Sequence, residues 1–480
     1  MSLPRPDGPP GAWFEGLGVS PELLRRVMAA ALGQGAEDAD LYFQHAASTS
    51  LSLADHKVSR VDTQVDLGMG VRVRVGDQVG YAYSEDLRPE ALLAAARTAA
   101  ASAAHSRSPR VAQEARAVKI GDHYPVERPF SSVEVSERVA LLRAWDEAAF
   151  ARDHRVERVE ATLVDGASVV MIVRPDGRLV EDWRPSTVAM LRCTASSAGQ
   201  RESANFSVSA RRGMEFYSAE RQERLVAEAV ERTIFLLGAT KPPAGEMPVV
   251  LAAGPSAILL HEAIGHGLEA DFNRKRTSIY ADRIGERIAG PEVTIVDDGT
   301  LPGTRGALNV DDEGNATERT VLVEGGVLRS YLQDELSAAH DGVASTGSGR
   351  RQDFRHEPLP RMRATLMVEG PHAPEDIIRS VDRGLYCVSF SNGSVNIGGG
   401  DFSFYMRHGY LIEGGKLTRP VKDVNIIGNG PRALERMDMV GNDLVVDEGG
   451  WTCGKQGQSV PVSQGMPTVR VSSLTVGGVN

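Results

Sequence analysis

The chain has 480 residues, 41% hydrophobic and 24% charged, which is enough apolar surface for two or three domains with their own cores and excludes a wholly disordered chain. A formal net charge of −11 excludes broad, phosphate-dominated nucleic-acid binding, which needs a basic face, so nucleic acid is not expected as the primary partner. Three scattered cysteines, Cys193, Cys387 and Cys453, do not make a disulfide framework and fit a reducing cytoplasm.

Residues 1–19 hold no apolar run of the secretory type and read as a flexible tail. Ser20 and Pro21 then mark a helix start, with Leu24, Val27, Met28 and Ala31 at helical spacing and an end near Gly33. From Asp40 to Tyr83 the pattern becomes β-like: Leu41 to Phe43, Leu51 to Leu53, and strict alternation from Val71 to Val75. Pro89 opens an Ala-rich helix through about Ala104. Ser131 and Glu134 have the spacing of a capping box ahead of a helix bearing Val139, Leu142, Trp145 and Ala149. Strands are expected at Val156 to Val164, at Val169 to Val173 and near Thr187 to Thr194, with a hairpin turn at Asp176-Gly177. A helix from about Ala219 to Leu237 leads to the Pro/Gly cluster 241–245, the expected domain boundary.

The expected fold class is therefore α+β. Residues 20–240 form an N-terminal domain of antiparallel sheet packed with helices, and residues 246–480 a C-terminal β-rich domain carrying a metal-motif helix. A buried strand, Pro248 to Ala252, precedes that helix. Beyond it, Asp298-Gly299, Gly325-Gly326 and Gly414-Gly415 read as hairpin turns, a short helix is expected at Pro374 to Arg383, and the glycines suit a curved or barrel-like sheet. The nearly apolar run Met247 to Leu260 is shorter than the roughly 20 residues of a membrane span, so no membrane is expected.

The stretch Leu259 to Glu269 places His261, Glu262 and His266 in an apolar run. A zinc site needs neutral imidazoles on a stiff element, and metal-assisted hydrolysis needs a carboxylate near the attacking water. The histidines stand five residues apart instead of the four of H-E-x-x-H. At ~100° per residue a straight α-helix would set them roughly 140° apart. A one-residue π-bulge would bring them nearly into line, with Gly265 as the place where the ladder gives. Without such a bend, two histidines in an apolar segment are ordinary core residues. Cys193 and Cys387 read as small hydrophobes in strands. That leaves Cys453, in a glycine-flanked turn beside Lys455, which would favour a thiolate, and Glu269 as alternative third ligands; spacing does not choose between them.

Other local features carry less. The run Asp311 to Gly314 lacks the alternating ligands of a calcium loop and reads as an acidic turn. Gly398 to Gly400 reads as a flexible bend. The paired arginines of Gly347 to Arg351 suit a carboxylate, although the segment reads more simply as a solvated surface loop.

His261-Glu262-Ala263-Ile264-Gly265-His266-Gly267-Leu268-Glu269, followed by Asp271 to Arg274 and, much later, Cys453-Gly454-Lys455, Gly457-Gln458-Ser459 and Pro461-Val462, resembles the TldD branch of the TldD/PmbA metalloprotease family. The resemblance extends through Asp311 to Gly314, Gly347 to Arg351, Met439 to Leu444 and Leu474 to Gly478. It runs more loosely through Asp40 to Phe43 and Gly68 to Arg72, so it covers nearly the whole chain. Ala270 stands where the family has glycine, which bears only on the approach of the following loop. The resemblance implies a zinc peptidase with His261, His266 and Cys453 as ligands and Glu262 as catalytic base. Glu269 is then an alternative ligand or a partner behind a ligand.

The resemblance also implies hydrolysis of unfolded or short peptides with little sequence preference. The reaction would take place in a chamber of a cytoplasmic homodimer, or of a heterodimer with a PmbA-type sister chain lacking the ligands. Peptide bound as an added strand would fit that low preference. A non-catalytic interaction or regulatory subunit is the rival reading, since the family has been named for modulation of DNA gyrase, and a zinc hydrolase of non-peptide amides is a third.

Overall fold

Alternation along unusually long strands sets the architecture of the first half. In the computed structural model, which describes residues 2–103 and 111–478, helix α1 (Pro21–Leu32) opens as its sequence predicts. The Ser20 hydroxyl accepts from the Leu23 N–H at 3.2 Å, and Pro21 sits in the first turn. The runs at Leu41 and Leu51 are not two strands but one, β1 (Asp38–Ala54), because pairing with β2 (Lys57–Val75) continues along its whole length. Strand β3 (Gln78–Ser84) and helix α2 (Pro89–Ser102) follow; the expected helix end at Ala104 lies outside the described residues. The predicted capping box does not form. Ser131 belongs to a separate 3-10 turn, extended backbone at Val133 intervenes, and α3 (Val135–Arg152) starts with Glu134 at its cap position and no side-chain cap.

The two strands expected between Val156 and Val173 are likewise a single β4 (Val156–Val173). Gly166 lies in its middle, where a Cβ would come within 2.7 Å of the Ala47 carbonyl of β1. The Asp176-Gly177 turn leads into β5 (Arg178–Ser197), then β6 (Gln200–Ala210) and α4 (Ala219–Gly238). The sheet runs β3-β2-β1-β4-β5-β6, antiparallel throughout, with the short strand Arg116–Ala117 parallel to the start of β5.

Odd-numbered residues of β1, including Leu41, Phe43, Leu51 and Leu53, are buried under the helices: α1 and α2 cover one end of this face and α3 and α4 the other. Even-numbered residues, among them Asp40 and Tyr42, face the second half of the chain, where Tyr42, Val170, Ile172 and Val180 pack with Val310 and Phe354. The segment expected as a free tail is not free over residues 2–19. Leu3, Phe14 and Val19 are buried in the α1/α2 core and Trp13 Nε1 donates to His45 Nδ1 at 3.2 Å, because these apolar residues among the prolines and glycines find this core, while Leu17 stays exposed.

The second half contains the expected curved sheet, closed into a five-stranded barrel. Its strands are β7 (Gly245–Leu251), β8 (Arg383–Val395), β9 (Asp401–Glu413), β10 (Val424–Asn429) and, after the hairpin of β11 (Thr452–Lys455) and β12 (Gln458–Pro461), β13 (Val469–Gly478). The order β8-β7-β13-β10-β9 returns to β8, with only β7 and β8 parallel. Gly325-Gly326 and Gly414-Gly415 make two-residue hairpins with positive φ at both positions. Asp298-Gly299 does not: Asp298 Oδ1 accepts from the Thr300 N–H at 2.8 Å and the chain leaves the sheet, returning as Arg319–Glu324.

Charge joins the two halves. Asp40 accepts from Arg72 Nε at 2.6 Å and from Arg351 Nη2 at 2.8 Å, and Arg72 Nη1 also meets Glu313 at 2.6 Å. Asp312 pairs with Arg184 and accepts from the Arg351 N–H. All six side chains are buried. The run Asp311 to Gly314 is thus not an exposed acidic turn, nor Gly347 to Arg351 a solvated loop: each fills the other's valences beneath the sheet. Burial opposes the charge on Asp40, but Arg72, Arg351 and Arg174 override it and hold the carboxyl at about 2. That value lies below the ordinary 3.8, so the stability it contributes is present above about pH 4 and is lost as pH falls through about 2. Asp40→Asn should cost ~3–5 kcal/mol near neutrality by breaking a buried ion pair. In denaturant unfolding the deficit should shrink as pH falls from about 4 toward 2; a deficit constant over that window would contradict the ion-pair account.

Candidate metal centre

The motif helix begins where β7 ends. After a 3-10 turn at Pro255–Ala257 and one α-turn, Ile258–Leu260, residues His261–Gly265 form a π turn, and His266–Leu268 a 3-10 turn. The extra residue in the turn answers the five-residue spacing. The two imidazoles come to lie on one side, with ring centroids 5.0 Å apart and planes at 85°.

Packing holds this irregular turn. The Ala263 carbonyl accepts from Tyr280 Oη at 3.2 Å, and Gly430 lies so close that a Cβ there would stand 2.5 Å from the same carbonyl. A Cβ on Gly265 would run into the Met362 sulfur. Gly265 therefore serves close approach as much as a weak point in the ladder.

Cys453 arrives from the β11/β12 hairpin. Its sulfur lies 3.4 Å from His266 Nε2, and one donor atom from each of His261, His266 and Cys453 falls within 4.8 Å of the others. All three residues are buried, and His261 Nδ1 has no hydrogen-bond partner. Two imidazoles and a thiolate are a borderline-soft donor set that suits zinc. The residues present therefore fit the ion. Among the described residues this is the one such set of three.

Glu269 stands behind His266 instead of beside the sulfur. Its Oε2 meets His266 Nδ1 at 2.9 Å and Lys455 Nζ at 3.1 Å, and Arg361 Nε approaches its Oε1 at 3.8 Å. The bond fixes the His266 ring with Nε2 turned to the cysteine. Lys455 is not the thiol's partner that its place in the sequence suggests, for its Nζ goes to Asp271 at 2.6 Å and to Glu269. Arg361 Nη2 donates to the Cys453 carbonyl at 2.6 Å and so ties the hairpin to the motif. No sequence signal marks Arg361 or Tyr280; both are set by packing alone. Glu262, half-buried, follows His261 in the π turn. Cys193 and Cys387 lie fully buried in β5 and β8, as expected of small hydrophobes.

The charges of the cluster are linked. Burial alone would raise the Cys453 thiol, but the imidazoles of His261 and His266 outweigh it and bring it down to about 5. Burial works against a charged His266, and Glu269 with Cys453 more than reverses it, pushing His266 well up. Glu269 is held at about 2, with Lys455 and His266 overcoming burial.

Comparison with known proteins agrees along the chain. Residues 39–103, 128–237 and 244–478 match, in order, the PmbA/TldA metallopeptidase domain 1, central domain and C-terminal domain. The chain is similar to a metalloprotease TldD homolog of Haemophilus influenzae, 38% identical over 448 residues, 92% of this chain and 93% of that protein. A zinc metalloprotease TldD homolog of Saccharolobus solfataricus is 33% identical over 256 residues, 53% of this chain and 57% of that one. The fold is also that of TldE from Thermococcus kodakarensis, with a TM-score of 0.74 at 18% identity over 95% of this chain and 99% of the other.

In metal-free protein the ultraviolet thiolate absorbance should titrate with a midpoint near pH 5 and vanish in Cys453→Ser. Because this thiol lies below its ordinary 9, the stability it contributes is present above that value and disappears as pH falls through about 5. A midpoint near the ordinary value would mean that the imidazoles do not hold the thiolate.

Proposed function

The chain belongs to the PmbA/TldD metallopeptidase family, and from that premise we propose that it is a zinc-dependent peptidase cleaving unfolded or short peptides with low sequence specificity. The observation that carries the reading is the meeting of His261, His266 and Cys453 from two segments almost two hundred residues apart. These three would hold the ion. Zinc supplies Lewis acidity, which polarises a peptide carbonyl and acidifies water.

The chain's own residues do the rest. Glu262, next to His261, accepts the proton of the attacking water at its carboxylate and passes it to the leaving amine. Glu269 keeps the Nε2 lone pair of His266 directed at the centre, and Lys455 and Arg361 keep Glu269 ionised and in place. The thiolate moderates the charge of the site, so it is less electrophilic than three neutral histidines would make it.

The reading includes a division into two domains at residues 241–245, supported by the separate cores on either side. It also includes work in the cytoplasm as a homodimer or with a PmbA-type sister chain, which the family resemblance implies. No helix among the described residues is long and apolar enough to cross a membrane.

Purified protein should hold about one zinc per chain by elemental analysis, in the 1:1 proportion of a single three-ligand site. Cys453→Ala should lose the metal. Glu269→Ala should keep it with roughly 10–100-fold weaker affinity. Glu262→Gln should keep zinc while hydrolysis of an unstructured peptide drops by ~10²-fold or more, the usual loss with a general base. Zinc-loaded Glu262→Gln turning over like wild type would remove Glu262 from the mechanism. Zinc-free wild type, with metal supplied and no chelator present, would favour the regulatory-subunit reading.

A further inference from the structure

A cavity of about 260 Å³ lies between the even-numbered face of the sheet and the second half of the chain. Its walls include Ser48, Ser168 and Ser186 of the sheet, Arg211 just past the end of β6, and Arg350 and Pro461 of the second half. Four further charged groups line it, and each is matched. Arg184 pairs with Asp182 and Asp312, Arg351 with Asp40, and Asp66 with Arg355. Two guanidiniums are left without a carboxylate. Arg350 gives its terminal nitrogens to the Met362 and Pro461 carbonyls, at 2.5 and 2.7 Å. Arg211 reaches only the Pro185 carbonyl at 3.4 Å, stacks over the Tyr124 ring, and leaves Nε with no partner.

Both side chains are more than nine-tenths buried. Burial and the neighbouring guanidiniums depress Arg350 to about 9 and shift Arg211 downward as well. A guanidinium keeps its proton at neutral pH all the same, and the attraction of Asp312, which Arg184 already pairs, only partly offsets the positive charge gathered here. Two buried guanidiniums with no carboxylate at salt-bridge distance suit an anion, and a guanidinium presents the donor geometry that a carboxylate accepts.

The cavity is also placed for a peptide. Pro461 of β12 pairs with Thr452 of β11, the residue before Cys453. One strand spacing of about 4.8 Å and one residue step of about 3.3 Å separate this wall from the sulfur-bearing residue. The cavity and the candidate metal centre thus abut the same hairpin, so a peptide passing round it would reach the centre with its end in the cavity.

We propose that this cavity is a carboxylate subsite that receives the C-terminal carboxylate of a peptide substrate or product, with Arg211 and Arg350 as its counter-charges. The inference rests on the peptidase reading, and it adds to it a preference for free C-termini that main-chain recognition alone does not give.

The test compares one short unstructured peptide as its free acid and as its C-terminal amide. Binding is read by calorimetry on zinc-loaded Glu262→Gln protein, and KM on wild type. The acid should bind at least ~10-fold more tightly, the usual worth of a charge-assisted hydrogen bond. The amide should show a KM raised by a similar factor, and Arg211→Met should erase the difference in both measurements. Equal affinity of acid and amide in the unsubstituted cavity overturns the subsite, whether or not Arg211→Met folds. Inorganic phosphate as a third ligand separates the remaining case: phosphate binding that Arg211→Met abolishes, with acid and amide alike, assigns the cavity to a free anion and overturns the peptide carboxylate. Zinc content and turnover of the amide are read on the same samples, so loss of peptidase activity altogether is distinguished from loss of C-terminal preference.

Discussion

The constraint on which the second half depends is the single extra residue in the turn from His261 to Gly265. Five-residue spacing cannot face two imidazoles the same way on a straight α-helix, and the π turn is the smallest change that does so. Such a turn is intrinsically poor, and the surroundings are shaped to hold it. Tyr280 serves the Ala263 carbonyl, Gly430 gives it room, and Met362 fills the space above Gly265. The barrel supplies the rigid wall behind these contacts, since β7 feeds the helix directly and α-turn residues Leu259 and Leu260 lie in the barrel core.

The same logic extends outward through hydrogen bonds. His266 is oriented by Glu269, Glu269 is held by Lys455 and Arg361, and Arg361 returns to the carbonyl of Cys453. This closed ring joins the motif helix to a hairpin far along the chain and keeps both buried. Buried charge beneath the sheet does comparable work between the halves, where Asp40 and Asp312 each bind arginines from both sides. The two arginines left unmatched beside that network differ from the rest in this respect, which is why the cavity they line invites a ligand instead of reading as one more structural ion pair.

Local signals in the sequence carried as far as local physics reaches. Ser20-Pro21, Asp176-Gly177, Gly325-Gly326 and Gly414-Gly415 act through dihedral preference and hydrogen bonds within four residues, and each forms the cap or turn expected of it. The five-residue histidine spacing implied its own bulge by geometry alone. Where a local signal competed with pairing, pairing won: two strands were expected between Val156 and Val173, yet β4 runs unbroken because β1 offers a continuous partner. Ser131 looked like a cap, yet the extended backbone at Val133 detaches it from the helix.

The sequence by itself determined the α+β class, the β-rich second half, and the residue types able to hold a metal, since these follow from periodicity, turn chemistry and donor identity. Only the tertiary structure decided that Cys453 faces the imidazoles while Glu269 stands behind one of them, and that Lys455 serves the carboxylates and not the thiol. It also decided that Asp311 to Gly314 and Gly347 to Arg351 are buried partners. The reason is range: these choices depend on strand register and on contacts between residues tens to hundreds of positions apart, which no spacing within a motif encodes.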